Sequence, residues 1–506
     1  MKKRRKAKEE IKEEKIWWLL NPKHLQQQID EYGYYFSMGN YVLSLVVSLA
    51  GVFICGTVFS LRWYLTAAVV VLWMTLLPGM ILDGYKNMYE HKKFLEAADY
   101  MEQILYSFKM EGKILAALRD TANLFTTGRM CTAIHETMAY IEAGIYKKDL
   151  YQEAFSKIEM QYPGRRMAAI HNFLRLIERN GGDYSNGIHL LLEDKALWVE
   201  NVLLLQEDKK RGRSRVIMAL VITMILAAVF HGVYRSMPEN YSIVNHPVTQ
   251  IGTTCYLILN IFIFRKANRE LAGSWLERES ISDEKKVTYY WKVVAEEDSS
   301  TAWKKSLLWA VPFFIAAIFC QLQGYFYVTV VLIAMGIFLG NQHRIGYRIS
   351  YNWLVKEINL RFPQWLMEMA LLLQGNNVQV AIAKSVSGAP AVLREELEAM
   401  VKKLKAQPEA IEPYMEFLEM FRLSYVQSAM KMLYAISESG TGDSQEQIQI
   451  MVRRNEKLLD QAEKILNERK LAGINSIGYL PQITISFQMM VNMAVFMMIF
   501  LTKMSI

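Results

Sequence analysis

The residues best placed for chemistry in this chain are Cys131 and His135, four apart on a segment of helical periodicity. There a thiolate and an imidazole would share one face and could bind a divalent metal. A metal site needs further ligands at similar spacing, and none follows. Cys55, Cys255 and Cys320 stand alone, with neither a CxxC pair nor a disulfide framework, and His91, His171 and His189 fall on separate helical segments. Core packing or solvent exposure accounts for all of them. No GxxxxGK[ST] phosphate loop, HExxH pair or glycine-framed serine nucleophile occurs. The expectation is a chain with no catalytic residue, no cofactor and no metal, and therefore not an enzyme.

A repeated turn carries more information. "ERNGGDYSNG" (178–187) and "ESGTGDSQEQ" (438–447) place Glu178, Gly182 and Asp183 in the same order as Glu438, Gly442 and Asp443. Glycine stops a helix because it adopts positive φ without steric cost, and an aspartate just after it caps the next one. The stretches therefore predict the turns of two equivalent helical hairpins. The GGD turn of diguanylate cyclases lies between strands, and the helical patterns on both sides here exclude it. Two further windows match in the same order: Ala117 and Leu118 align with Ala381 and Ile382, and "LQEDKKRGRS" (205–214) aligns with "LNERKLAGIN" (466–475). An apolar stretch follows each copy at once, so an internal duplication is expected.

The elements that must position these turns are partly membranous. Of 506 residues 52% are hydrophobic, above ordinary soluble usage. Uncharged stretches at 41–61, 63–82, 216–234, 247–264 and 477–501 each approach the roughly 20 residues a helix needs to cross a bilayer, and 306–340 is long enough for two crossings folded about "QLQGYF". That makes seven spans. The short "IWWLL" makes a poor signal peptide, so the amino terminus is expected in the cytoplasm and the carboxyl terminus outside. Of 58 Lys and Arg residues only Arg62, Arg235 and Lys503 then fall outside, in line with the positive-inside rule. The net charge of +8 is explained by that topology, and no aromatic-interleaved basic stripe points to nucleic acid.

Between the spans lie two proline-poor blocks. Met101, Ile104, Leu105 and Phe108, then Ile188, Leu192, Ala196 and Val199, follow helical spacing in the first. Leu366, Met369, Ala370 and Leu373, then Met451, Leu458, Ala462 and Ile465, do so in the second. The expected fold is all-α: a polytopic membrane protein of about seven transmembrane helices and two duplicated cytoplasmic helical bundles. In order these are an interfacial amino-terminal segment (1–40), two spans (41–82), the first block (83–215), two spans (216–264), a cytoplasmic linker (265–305), two spans (306–341), the second block (342–476) and a final span (477–502).

On these residues the chain resembles the F-domain family, the inner-membrane platform proteins of type II secretion and type IV pilus systems. "YMEQILYSFKMEGKILAALRD" is similar to that family's opening helix, and "GIYKKDLYQEAFSKIEMQYPGRRM" to its middle section. Glu178 with Gly182, and Glu438 with Gly442, fall in the place of the family's Gly-Glu-x-x-Gly corner, although three residues (Arg179 to Gly181, Ser439 to Thr441) and not two separate each pair, and Ile177 and Ser437 replace its first glycine. Paired spans before each block make the chain most like the tight-adherence (Flp pilus) B and C proteins joined end to end. The resemblance implies a non-enzymatic platform, in the cytoplasmic membrane, that binds a cytoplasmic assembly ATPase and pilins or pseudopilins, as a homo-oligomer in lipid.

The alternative is a solute transporter, with a membrane-anchored signalling protein third. His231 is the only ionisable residue inside an apolar stretch and lies near its outer end, and the longest external segment is only 235–246, which argue against each in turn. Gly336 and Gly340 form a GxxxG that would suit close helix packing or dimerisation. Glu178, Gly182, Asp183, Glu438, Gly442 and Asp443 are the expected partner-binding turns, alongside the reading that they are solvated caps. The aromatics of residues 16–36 suit a segment lying flat on the membrane.

Overall fold

The computed structural model describes residues 21–144, 149–181, 184–238, 242–276, 284–295, 299–323, 326–374, 376–438 and 444–504. Among them all regular structure is helical. The helices divide into two compact units, one of residues 1–100, 198–276 and 467–506 and one of residues 101–197 and 277–466.

The first unit opens with α1 (Pro22–Glu31), started by Asn21, whose side chain accepts from the Lys23 amide, and by proline in the first turn. Its Leu25 and Ile29 are fully buried against Phe36, Tyr41, Ile81, Leu82 and Tyr85. The apolar face of α1 is thus covered by the chain itself, while Tyr35 stands exposed. α2 (Met38–Val58) and α3 (Trp63–Glu111) follow, and α3 runs without a break through the boundary expected near residue 82.

The first block supplies α4 (Ile114–Ala122), α5 (Arg129–Glu142), α6 (Leu150–Gln161) and α7 (Arg165–Asn180) before α8 (Ser185–Arg235), which likewise runs on past residue 215. α9 (Pro247–Leu271) follows, and the expected linker contains α10 (Glu284–Ala295). Next come α11 (Ser299–Leu322), α12 (Phe326–Gly340) and α13 (Gln342–Leu372), then α14 (Val378–Ser385), α15 (Ala391–Ala406), α16 (Glu412–Met415), α17 (Ser424–Glu438), α18 (Ser444–Ile477) and α19 (Leu480–Met504).

Five helical stretches are long and apolar enough to cross a membrane: α2, α3, α8, α9 and the stretch Lys457–Met504 through α19. A sixth arises if α12 and its bent continuation count as one span. The chain therefore has the build of a multi-pass helical membrane protein. Val46, Val47, Phe53 and Ile54 on α2, and Phe487, Met490 and Met493 on α19, stand exposed, an apolar surface that suits hydrocarbon and not water. Within 306–340 the apolar helix Ala310–Leu322 is too short to count as a crossing by itself, and α12, with 15 residues, rises only about 22 Å. The two pack antiparallel, since a Cβ on Gly336 would meet the Phe314 ring and one on Gly340 would meet Ala310. The GxxxG thus serves packing inside the chain.

In the first unit α9 and α19 pack through a polar seam. Gln488 donates to Thr253 Oγ1 at 2.8 Å, Thr484 donates to Asn260 Oδ1 at 3.1 Å, and Gly252 admits the Gln488 side chain. Uncharged groups bonded across helices act as glue where apolar contact alone gives no preference over lipid. His231 is buried beside Phe59, ring centroids 5.7 Å apart.

In the second unit Met101, Ile104, Leu105 and Phe108, and Leu366, Met369, Ala370 and Leu373, are buried as their spacing predicts. The aligned pairs Ala117 and Leu118, Ala381 and Ile382, are all fully buried. The two later stripes are displaced. On α8 the buried residues are Ile188, Leu190, Leu191 and Trp198, while Ala196 is exposed. On α18 they are Met451, Asn455, Leu459, Ala462 and Glu463, while Ile465 is 39% exposed. Polar residues cause the second shift. Asn455 donates to the Pro363 carbonyl at 2.8 Å and Glu463 pairs with Arg166, so the buried face carries charge that an apolar period passes over.

Candidate functional site

The repeated turns are the natural starting point. α7 ends where Gly181 takes φ +67° and its amide bonds back to the Ile177 carbonyl, as the helix-stop reading expects. Gly187 then lets α8 return against α7, because a Cβ there would strike the Phe173 ring. Gly182, Asp183, Gly442 and Asp443 lie outside the described residues.

Glu178 is largely buried and committed. It accepts from the Ile114 amide at 2.7 Å and from the Tyr151 hydroxyl at 3.3 Å, with Lys113 Nζ at 3.9 Å. The Ile114 amide is a free donor in the first turn of α4, and Lys113 provides no side-chain cap, so Glu178 caps α4 from another helix. In the second block the short helix α14 is capped by its own Asn377, which accepts from the Val380 amide at 2.9 Å. Glu438 makes no such cap among the described residues and stands exposed at the end of α17. Glu178→Ala is expected to lower stability by about 1–2 kcal/mol through the lost cap. Glu438→Ala should stay within about 0.5 kcal/mol. Denaturant unfolding of the two variants checks the difference.

Glu178 also borders a cleft of about 780 Å³ within the second unit, to which both blocks contribute. α7 presents Arg165, Arg166, Arg175 and Arg179 to it; α13 presents Gln364 and Glu368; Lys384 and Ser387 come from the end of α14 and the turn after it. Two neighbouring arginines join the blocks. Arg165 donates to Gln364 Oε1 at 2.6 Å and approaches Glu368 at 3.6 Å. Arg166 makes two bonds to Asp194, at 2.8 and 3.1 Å, and also binds Glu463 of α18. Arg175 binds Asp149, the residue that caps α6 through the Gln152 amide.

Burial lowers the Arg165 guanidinium from its usual range, with Glu368 opposing the effect. Burial likewise raises the Glu368 carboxyl, with Arg165 opposing. Away from the cleft, His171 stacks on Phe155 with centroids 4.0 Å apart, bonds to Glu159 at 2.8 Å, and is pushed below the usual imidazole range by burial.

Of the two expected turn residues that are described, Glu178 and Glu438, only Glu178 borders the cleft. Arg165, Arg166, Lys384, Glu368 and Glu463 were not singled out in the sequence. The one signal for them is a charge set into an otherwise apolar helical face, as at Glu463. Cys131 and His135 do approach, Sγ to Nδ1 at 3.5 Å, but the imidazole nitrogen also meets the Cys131 carbonyl at 2.8 Å, and no cluster of three metal-binding side chains exists among the described residues. Comparison of the chain with known protein families, with curated proteins and with solved structures finds no match.

Proposed function

We propose that the chain is a non-enzymatic platform in the cytoplasmic membrane for a Tad/Flp-like type IV pilus or a type II secretion machine, coupling a cytoplasmic assembly ATPase to the handling of pilins or pseudopilins. The observation that carries this reading is the order of the helices. In 63–235 a long helix is followed by a short one of 9 residues, then helices of 14, 12 and 16, then a long one ending in an apolar stretch. In 342–504 a long helix is followed by one of 8, then helices of 16, 4 and 15, then a long helix leading into an apolar one. Such a recurrence supports two copies of one unit joined in a single chain, with the first at 83–215 and the second at 342–476. Seven spans, with the hairpin of α11 and α12 as two of them, belong to this reading.

The bait for testing it is the whole chain, because Arg165 and Arg166 tie the blocks together. Tagged protein, crosslinked in native membranes and recovered, is expected to carry a secretion-type ATPase and a pilin, and Glu438→Ala to reduce ATPase recovery. Recovery of neither, together with substrate flux in reconstituted vesicles, turns the assignment to the transporter.

A further inference from the structure

We propose that the cleft between the blocks is a binding site for a phosphate-bearing organic anion of nucleotide size. Its volume of about 780 Å³ falls within the range of small-molecule sites. Its wall combines cations with an apolar surface made by Phe173, Leu176, Met367 and Leu371. That pairing fits a ligand with a charged head and an apolar body.

The balance of charge within the cleft sets the sign of the ligand. Every lining carboxylate is engaged: Asp149 with Arg175, Asp194 with Arg166, Glu178 with the start of α4, and Glu368 with Arg165. The cations are not all matched. Lys384 meets a neutral partner, the Asn376 amide oxygen at 2.5 Å, and Arg179 is exposed with no ion pair among the described residues. Arg165 is held by Gln364 at 2.6 Å but is only loosely paired with Glu368, since 3.6 Å exceeds the roughly 2.7–2.9 Å of a charge-assisted hydrogen bond. A phosphate can therefore engage Lys384 and Arg179 directly and compete with Glu368 for Arg165. Such an exchange would act on a contact that joins the blocks, so an occupied cleft reports to both of them. The sequence carries no GxxxxGK[ST] phosphate loop, and the role assigned to the cleft is sensing the ligand. The site does not depend on which machine the chain serves.

Titration calorimetry on the full chain in lipid nanodiscs tests this with ADP, pyrophosphate and adenosine as probes. ADP is expected to bind with Kd below about 1 mM, and pyrophosphate and adenosine, each offering one half of the ligand, more weakly. The double variant Arg179→Gln/Lys384→Gln should weaken ADP about tenfold. Both cations hold no carboxylate among the described residues, so the variant should unfold at the temperature of the parent. No heat from ADP at about 5 mM, or a double variant that binds ADP as the parent does, overturns the proposal.

Discussion

Replacing Arg166 with methionine is expected to cost the second unit about 3–5 kcal/mol, most of it from two buried carboxylates that lose their shared cation. Asp194 and Glu463 are 13% and 10% exposed at their side chains, and Arg166 is 15% exposed, so water does little to replace the lost cation. Asp194 belongs to the first block and Glu463 to the second, and the loss should therefore loosen both. Denaturant unfolding of the purified chain measures it. The triple change Arg166→Met, Asp194→Leu, Glu463→Leu should recover most of the stability, because an apolar replacement of a whole buried ion cluster is often neutral. A loss under about 1 kcal/mol in the single variant would mean that the cluster behaves as a solvated surface pair.

Trp365→Ala should have a comparable effect, about 3–5 kcal/mol, by a different route. Trp365 is fully buried in α13, with Phe417 at 5.9 Å and Phe362 at 5.6 Å between ring centroids. Its indole N–H donates to Ser385 Oγ at 3.0 Å, fixing α13 against the end of α14. The alanine variant opens a large cavity, whereas the Ser385 hydroxyl keeps its bond to the Ile382 carbonyl at 2.8 Å. Trp365→Phe restores most of the volume and should cost about 1–2 kcal/mol. If the two variants unfold at the same denaturant concentration, the indole bond and not the packing sets the stability here.

The contrast between these residues and the turns explains what was legible in the sequence. Period and length revealed the helical class, the apolar stretches and the buried faces of α3 and α13, because burial of an apolar stripe is written directly in residue type. The α18 face was misplaced by its polar members, Asn455 and Glu463, whose burial depends on partners far along the chain. The boundaries near 82 and 215 marked changes of composition, but α3 and α8 continue through them, since charge stops a span without stopping a helix. α10 lay hidden in an apparent linker, where its Val287, Trp291 and Val294 form a stripe too short to stand out from the charges around it. Among the expected site residues Glu178 was read as a partner-binding turn residue, and the contact it makes is a cap on another helix. Its cap on Ile114 joins two residues that no local pattern connects, and the arginines of the cleft were invisible for the same reason.

The two caps also set an order of events as the chain folds. The Asn377 cap lies within its own turn, so α14 can be started as soon as that stretch leaves the ribosome. The Glu178 cap spans 64 residues of sequence, and that loop must be closed before α4 gains its first anchor. α14 is thus a starting point for its block, while the cap on α4 waits until α7 has formed.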